Sequence, residues 1–358
     1  MPSRLAVIVI PCLNEELLIE ATCASLGFGS GAASPSAHLV LVDNMSTDRT
    51  MQVCQRIVSR SQGSATVVQE PDRGFAPARR RGILAAERLS AAEGVSAEDV
   101  VIVQCDADTS YSDGYVPTMA AAVRGQARSI AEARTELPSG FADRYPIVTE
   151  AVDELDSAFE RRFPPSSWNV LLDDKACAFG LSDCLSWGGH GRETLEDGSE
   201  ALAETTRLMI TARASGAHYV QALEAVAVHS PRRLLEDAAQ LLATSGFPYE
   251  HRRALSDRRQ IGIDELEHDA ARNNMEVLEL VLALRSRHLV ALQAVLPAHL
   301  ERTIQGGHSA GPEIVAVVDR LPRRSLHDAL TRPAVFLDDS LRLVWRPTCP
   351  EFETLMLR

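Results

Sequence analysis

Short runs of apolar residues alternate with longer stretches of mixed polarity over the first third of the chain. The runs occupy residues 5–10, 39–42, 66–68 and 100–103, and the chain between successive runs is long enough for one helix. Continuous apolar character is typical of strands that are buried on both faces. The pattern therefore predicts an α/β fold in which a mainly parallel sheet is wound with helices.

Polar residues that favour helix starts follow the first two runs. Asn14, before Glu15 and Glu16, and Ser46, before Asp48, place a capping side chain and negative charge where a helix can begin. Turns of this kind lie at the carboxyl ends of strands, where open α/β sheets bind ligands. We expect a helix to start at both positions.

Longer helical patterns occupy the rest of the chain. The pattern predicts a helix over 147–163, a glycine-rich turn at 186–191, a helix over 199–214 and a strand over 219–229. Helical periodicity is strongest over 265–296.

These patterns divide the chain into three regions. Residues 1–116 are expected to form the first half of an α/β domain, 117–233 its second half, and 234–358 a helical C-terminal region. Apolar positions in the last region, such as Leu280 and Leu284, form an ordinary core or, alternatively, the contact surface of a homodimer.

Length and composition fit a chain with more than one folded part. At 358 residues and 38.9 kDa it exceeds what one hydrophobic core usually organises. The net charge of −13 attracts no polyanion, so we expect no nucleic acid partner. Lys175 is the only lysine among 36 basic residues, which is typical of a GC-rich bacterial genome.

Cysteine usage and the N-terminal residues favour a cytoplasmic protein. The seven cysteines include no C-x-x-C pair, which argues against a disulfide framework or a zinc ribbon. The apolar run at 5–10 leads into Asn14, Glu15 and Glu16 without a small-residue cleavage site, so we do not interpret it as a secretory signal. No apolar run reaches the roughly 18 residues that a membrane span needs.

A pair of carboxylates directly follows the fourth apolar run. In an extended segment, Asp106 and Asp108 of the Asp-Ala-Asp sequence point to the same side, so both can face one cation and the diphosphate that it bridges. The pair could instead cap a solvated loop, and the motif alone does not decide between these interpretations.

Three further segments, in the expected order, carry a family resemblance. They read IVIPCLNEE at 8–16, VLVDNMSTDRT at 40–50 and RGFAPARRRG at 73–82. Together with Asp-Ala-Asp they closely resemble the signature series of family 2 glycosyltransferases, which have the GT-A fold and use nucleotide sugars. The resemblance is specific over residues 5–110, weakens from there to His229 and is absent beyond Arg233.

The resemblance implies a set of nucleotide-binding residues. Asp43 corresponds to the aspartate that holds the nucleotide base, although it could also cap the approach to a helix. Pro11 and Glu15, with Asn14 beside them, resemble the first nucleotide-contacting loop. The remaining implied contacts are Gly74, where backbone can approach the ligand, Arg79, for uracil and phosphate, and Asp106.

His229 resembles the metal-ligating histidine that closes the sheet in several metal-dependent GT-A enzymes, although a lone histidine after a strand can also be structural. With Asp108 and two diphosphate oxygens it would form a site for Mn²⁺ or Mg²⁺, and the imidazole favours Mn²⁺. Arg232 could add a phosphate contact.

The acceptor side is implied by a second glycine-rich segment. Trp187, Gly188, Gly189 and His190 resemble the family's Gly-Gly turn beside the acceptor site. The tryptophan could stack on a sugar, or it could simply lie in the core.

Two acids are candidates for the catalytic base. The family's Glu-Asp dipeptide lies a fixed distance before an Arg-Leu pair, and an ungapped count from Arg207 puts Glu200 on its Glu and Ala201 on its Asp. A short insertion would instead align Asp197 with the base. Either acid could equally be a charge at a helix start.

Taken together, the resemblance predicts a cytosolic, metal-dependent glycosyltransferase that moves a sugar from a UDP-sugar to an unidentified acceptor with inversion. A retaining glycosyltransferase on the same scaffold is the alternative, because the family's aspartate is displaced. A sugar nucleotidyltransferase would need a glycine-rich triphosphate loop near the N-terminus, which PCLNEE is not. A non-catalytic binding protein would show no turnover.

Overall fold

The computed structural model describes residues 5–29, 37–194, 201, 203–247, 259–307, 309–345 and 349–356. These residues form two compact units. The first comprises the described residues of Met1–Leu137, Leu172–Arg192 and Glu204–Ser230, and the second those of Pro138–Leu171, Glu193–Ala203 and Pro231–Arg358. The predicted boundaries at 116/117 and 233/234 stay a prediction.

The first unit contains one mixed sheet. Its strands are β1 Leu5–Cys12, β2 His38–Asp43, β3 Ala65–Gln69, β4 Val100–Cys105, β5 Thr109–Tyr111, β6 Ser129–Glu136, β7 Ala176–Gly180 and β8 His218–His229. Among the described residues they are ordered β3-β2-β1-β4-β7-β6-β8-β5. The first four in this order are parallel, β7 is antiparallel to β4 and β6, β8 is parallel to β6, and β5 is antiparallel to β8.

Helices cover this sheet because its central strands are apolar on both faces. The helices of the first unit are α1 Ile19–Ser25, α2 Thr50–Arg60, α3 Phe75–Glu93, α4 Tyr115–Gly125, α7 Leu181–Ser186 and α8 Glu204–Ala214. The α/β fold class predicted from the apolar runs is confirmed. The four strands predicted from those runs are present, and so is the strand predicted over 219–229, which is β8.

The second unit consists of helices and connecting loops in its described residues. Its helices are α5 Phe141–Arg144, α6 Pro146–Arg162, α9 Arg232–Ala243, α10 Ile263–Ala271, α11 Glu276–Leu289, α12 Leu296–Gln305, α13 Pro312–Val318, α14 Leu326–Thr331, α15 Ala334–Trp345 and α16 Pro350–Glu353. A π-helical stretch, Val290–Val295, joins α11 to α12. The predicted helical C-terminal region is confirmed, but the pattern at 265–296 is divided by a break between α10 and α11.

Half-buried acids join the helices of the second unit. The Glu267 carboxylate on α10 accepts hydrogen bonds from the backbone N–H groups of Ile147 and Val148, both at 2.9 Å. Negative charge at a helix N-terminus is stabilising, so this contact fixes the start of α6 against α10. Arg285 on α11 donates to Asp156 on α6 at 2.7 Å.

One stretch of the described helices, Glu276–Gln305, is long and apolar enough by length and composition to cross a membrane, and 61% of its most apolar window is buried within the protein. Core helices commonly pass the same test. The predicted absence of a membrane span stays a prediction.

All seven cysteines are buried and none forms a disulfide. The interpretation of the cysteines as small core residues is confirmed.

A glycine sets the closest approach of helix α3 to the sheet. A Cβ atom added to Gly82 would lie 2.1 Å from Cγ1 of Val9 on β1, far inside van der Waals contact. Glycine therefore allows α3 to pack directly on the central strand.

We expect Gly82→Ala to lower the free energy of unfolding by about 1–3 kcal/mol through overpacking, although alanine is the better helix former. Chemical denaturation would measure the loss, and Val9→Ala in the same chain should restore part of it. Gly125→Ala, at the end of α4, is the control, because its added Cβ meets no described atom within 4 Å. Equal stability of Gly82→Ala and the native chain would contradict this packing.

Candidate functional site

The carboxyl ends of β1, β2 and β4 meet at one edge of the sheet. Residue pairing places Cys12 beside Asp43, and β4 runs parallel to β1 on its other side. The loops that follow these three strands carry Asn14, Asn44 and Asp106, respectively, so the sequence motifs converge on this edge. Pro11 lies within the last residues of β1 and is half-buried.

The loops after β1 and β2 are hydrogen-bonded to each other. The Asn14 N–H donates to Ser46 Oγ at 3.1 Å, and the Thr47 N–H donates to Asn14 Oδ1 at 2.8 Å. Asn14 has a φ of 58°, in the left-handed region that asparagine tolerates. The Glu15 N–H donates to Thr50 Oγ1 at 2.7 Å.

The predicted helix starts at Asn14 and Ser46 are wrong. Helix α1 begins at Ile19 and α2 at Thr50, because both polar side chains bond across the two loops instead of capping a helix. Their physical role is to hold the two loops of the edge together. Asn14 itself is exposed there and Glu15 is half-buried.

Asp43 ends β2 with a carboxylate that is 3% exposed. Its Oδ1 has no hydrogen-bond partner among the described residues. A buried polar oxygen without a partner carries a desolvation penalty, which a donor on a ligand would remove. This unpartnered oxygen favours a ligand contact for Asp43 over a helix cap, and the choice between the two stays a prediction.

The neighbouring residue, Asn44, holds the loop after β3. Its Nδ2 donates to the carbonyls of Glu70 at 3.0 Å and Asp72 at 2.8 Å, and its Oδ1 accepts from the Gly74 N–H at 2.9 Å. Gly74 has a φ of 143°, a conformation that L residues rarely adopt. The sequence did not single out Asn44, although its position after a strand-ending aspartate was a usable signal.

Arg79 on α3 lies under the edge, where its side chain is 2% exposed. Its Nε donates to Glu204 at 2.9 Å, and its Nη2 pairs with Asp106 at 3.0 Å and with Asp174 at 3.1 Å. Three carboxylates around one guanidinium leave excess negative charge. The sequence predicted a nucleotide contact for Arg79, and that contact stays a prediction beside the positioning role seen here.

Burial and the nearby Asp174 carboxylate raise the pKa of Asp106 to about 7, against the opposing effect of Arg79. The Asp106 N–H donates to the hydroxyl of Tyr111, which in turn donates to the carbonyl of Lys175. These contacts fix the start of the Asp-Ala-Asp loop.

The pairing of β5 with β8 brings Asp108 close to His229. Thr109 is the register partner of His229, and the Ser230 N–H donates to the Asp108 carbonyl at 3.1 Å. Burial and then the positive charge of Lys175 lower the pKa of His229, so its imidazole is neutral and able to ligate a metal.

This donor set fits a divalent cation that the nucleotide helps to hold. One carboxylate and one neutral imidazole match the preferences of Mn²⁺. No group of three histidine, cysteine, aspartate or glutamate residues able to hold a metal occurs among the described residues. Among the described residues, Asp108 and His229 are the pair that could hold such an ion.

The turn after α7 contains the Gly-Gly segment that the sequence singled out, residues 187–190. Trp187 is 3% exposed, which agrees with its interpretation as a core residue. Gly188 and Gly189 have φ values of 89° and 64°. Burial, Arg79 and Arg207 lower the pKa of His190 to about 3, so this histidine is neutral. Sugar or acceptor contacts by these four residues stay a prediction.

The two candidate bases, Asp197 and Glu200, lie outside the described residues. Arg232 is the first residue of α9 in the second unit. Sequence reasoning missed four charged residues of this site, Asp173, Asp174, Lys175 and Glu204. Asp174 and Glu204 contact Arg79, which is distant in sequence.

The structure thus contains a wound α/β domain with an acidic candidate ligand site at the carboxyl ends of its parallel strands. Residues 7–164 match the sequence model of glycosyl transferase family 2. This match covers somewhat less than half of the chain, and it confirms the resemblance that the sequence predicted.

Two individual proteins illustrate the similarity. An uncharacterized glycosyltransferase of Mycobacterium tuberculosis is 33% identical over 114 residues, which cover 32% of this chain and 41% of the mycobacterial protein. A mannosyltransferase from Pyrobaculum calidifontis, in complex with GDP-Man and Mn²⁺, is 17% identical with a TM-score of 0.45, covering 96% of this chain and 85% of that one. At that TM-score the likeness carries no argument about activity.

Proposed function

We propose that this protein is a metal-dependent glycosyltransferase that moves a sugar from a UDP-sugar to a nucleophilic acceptor with inversion at the anomeric carbon. The observation that carries the proposal is the site at the carboxyl ends of the strands. It contains the unpartnered Asp43 oxygen and Asp108, both within the family-matched residues 7–164, and His229 beside them on β8. A carboxylate acceptor suits the N–H of a nucleobase, and the pair suits a hard cation.

Each group of the edge has a defined task in this proposal. Asp43 accepts a hydrogen bond from the base, and Asn44 holds the Gly74 loop against the nucleotide. Asp108 and His229 would hold Mn²⁺ or Mg²⁺, which neutralises charge on the departing diphosphate. A carboxylate from Asp197 or Glu200 takes the acceptor proton.

Ligand binding to the intact chain tests the proposal. Thermal unfolding in the presence of UDP, GDP and their sugars, each with and without Mn²⁺, should reveal one preferred nucleotide, because a ligand at a hundredfold excess over its Kd stabilises by about 2.7 kcal/mol. Release of sugar from the preferred donor would then show turnover. A chain that binds no nucleotide diphosphate with Mn²⁺ would contradict the function.

A glycosyltransferase that retains the anomeric configuration is the second candidate function, because Ala201 occupies the position of the family's base in the ungapped alignment. Ala201 is buried and offers no proton acceptor. The cytoplasmic location, the homodimer and the absence of nucleic acid partners remain predictions from the sequence.

Asp108→Asn is expected to abolish the gain in UDP affinity that Mn²⁺ provides while leaving the melting temperature nearly unchanged, because a half-buried loop carboxylate contributes little to stability. Calorimetry with UDP, with and without Mn²⁺, measures the gain. Asp113→Asn, which changes an exposed acid on the following loop, between β5 and α4, is the control. Equal Mn²⁺-dependent affinity in Asp108→Asn and the native chain would show that the metal is held elsewhere.

Asp43→Asn is expected to raise the KM for the donor by about 10- to 100-fold, the value of a hydrogen bond to a charged group. The melting temperature should stay the same or rise, since the substitution removes a buried charge with an unpartnered oxygen. Initial rates and thermal unfolding check the two effects. A lower melting temperature with an unchanged KM would support a structural role for Asp43 instead.

A further inference from the structure

The position of Lys175 beside Asp106 follows from the sheet register. Ala176 pairs with Cys105 where β7 runs antiparallel to β4, so Lys175 and Asp106 are the next residues outward at the same edge. The hydroxyl of Tyr111 links their backbones, accepting from the Asp106 N–H at 2.9 Å and donating to the Lys175 carbonyl at 2.9 Å. Lys175 is thus fixed at the opening of the Asp-Ala-Asp loop.

The Lys175 ammonium is held but accessible. Its Nζ donates to Asp173 Oδ1 at 2.7 Å, and its side chain is 23% exposed. An ammonium has three donors, and this bond uses one. Arg79, which is ion-paired with Asp106, is 2% exposed and bonded to three carboxylates. Between these two cations, Lys175 is the one within reach of a ligand.

The charge of Lys175 affects two groups at the candidate metal site, His229 and Asp106. It lowers the pKa of His229, after the larger effect of burial, and it opposes the rise in the pKa of Asp106. The ammonium therefore lies within electrostatic range of the first Asp-Ala-Asp carboxylate and of the histidine that pairs with Asp108. A diphosphate held at Asp108 and His229 would bring its oxygens into the same space.

We propose that the Lys175 ammonium binds the β-phosphate of the nucleotide-sugar donor and stabilises it as the leaving group. This inference rests on the proposed function. As the bond between the anomeric carbon and the β-phosphate oxygen breaks, its electron pair passes to that oxygen, and the acceptor oxygen forms the new bond while its proton goes to the base. Lys175 keeps its proton throughout and donates a hydrogen bond that strengthens as the phosphate charge grows.

Affinities for UDP and UMP provide the first test, since UMP lacks the β-phosphate. In the presence of Mn²⁺, Lys175→Met should weaken UDP binding by about 10- to 100-fold, the range of a charge-assisted hydrogen bond, and should change UMP binding little. Lys175→Arg should recover most of the UDP affinity. Arg80→Met, which changes an exposed cation on α3, is the control. Equal UDP affinity in Lys175→Met and the native chain would overturn the inference.

The single lysine permits a second test on the native chain, which also decides the matter if Lys175→Met does not fold. An amine-reactive ester can modify Lys175 and the α-amino group, and mass spectrometry separates the two. Saturating UDP with Mn²⁺ should slow modification of Lys175 at least tenfold, whereas uridine with Mn²⁺ should not. Unchanged modification at saturating UDP overturns the inference while leaving the proposed function standing. Failure of the native chain to bind UDP overturns the proposed function itself.

Discussion

Arg79→Met should lower the free energy of unfolding by about 3–5 kcal/mol, the usual cost of removing one partner from a buried ion pair. The guanidinium is almost fully buried and bonded to Glu204, Asp106 and Asp174. Glu204 is 6% exposed, so its charge would lose its partner without gaining water. Urea denaturation followed by circular dichroism measures the loss.

Matched substitutions separate lost charge pairing from lost packing. Arg80→Met on the same helix is exposed and should cost little. Adding Glu204→Met to Arg79→Met should return part of the lost stability, because apolar groups can replace a buried pair at small cost. If the double variant is less stable than Arg79→Met alone, packing rather than the unpaired Glu204 charge accounts for the effect.

The central strands were predictable from sequence because burial on both faces leaves a continuous apolar pattern. The runs at 5–10, 39–42, 66–68 and 100–103 all lie within observed strands. The strands β6 and β7 were not predicted. The sequence of β6, SIAEARTE, has a polar end, and that of β7, ACAFG, is short and made largely of small residues. Neither pattern distinguishes a strand from a loop or a helix.

Parts of the site were also predictable from the apolar pattern of the buried strands, since Asp43 is the last residue of β2 and Asp106 directly follows β4. The role of Arg79 was not, because its partner Glu204 is 125 residues away in sequence. Local propensity also misled at Asn14, whose side chain bonds to the loop after β2 instead of capping the nearest helix. The roles of Arg79 and Asn14 both depend on contacts with segments that are distant in sequence, and no local pattern encodes such contacts.

Replacing the catalytic base should have the largest effect on turnover. If Asp197 or Glu200 takes the acceptor proton, its amide variant should lose about two to four orders of magnitude in kcat while keeping donor affinity, because a general base acts in the transition state and not in binding. We expect the loss in only one of Asp197→Asn and Glu200→Gln. Steady-state rates with the identified donor, together with calorimetry of UDP, measure the two quantities.

Asp197 is the favoured base, because the aspartate of the Glu-Asp dipeptide is the base in the family that this chain resembles. Glu200 follows from the ungapped distance to Arg207 and would have to act with the longer side chain. Ala201, on the position of the aspartate in that alignment, cannot take a proton. If both amide variants keep near-full kcat, base-catalysed inversion fails. The anomeric configuration of the product, determined by NMR, would then show whether transfer proceeds with retention.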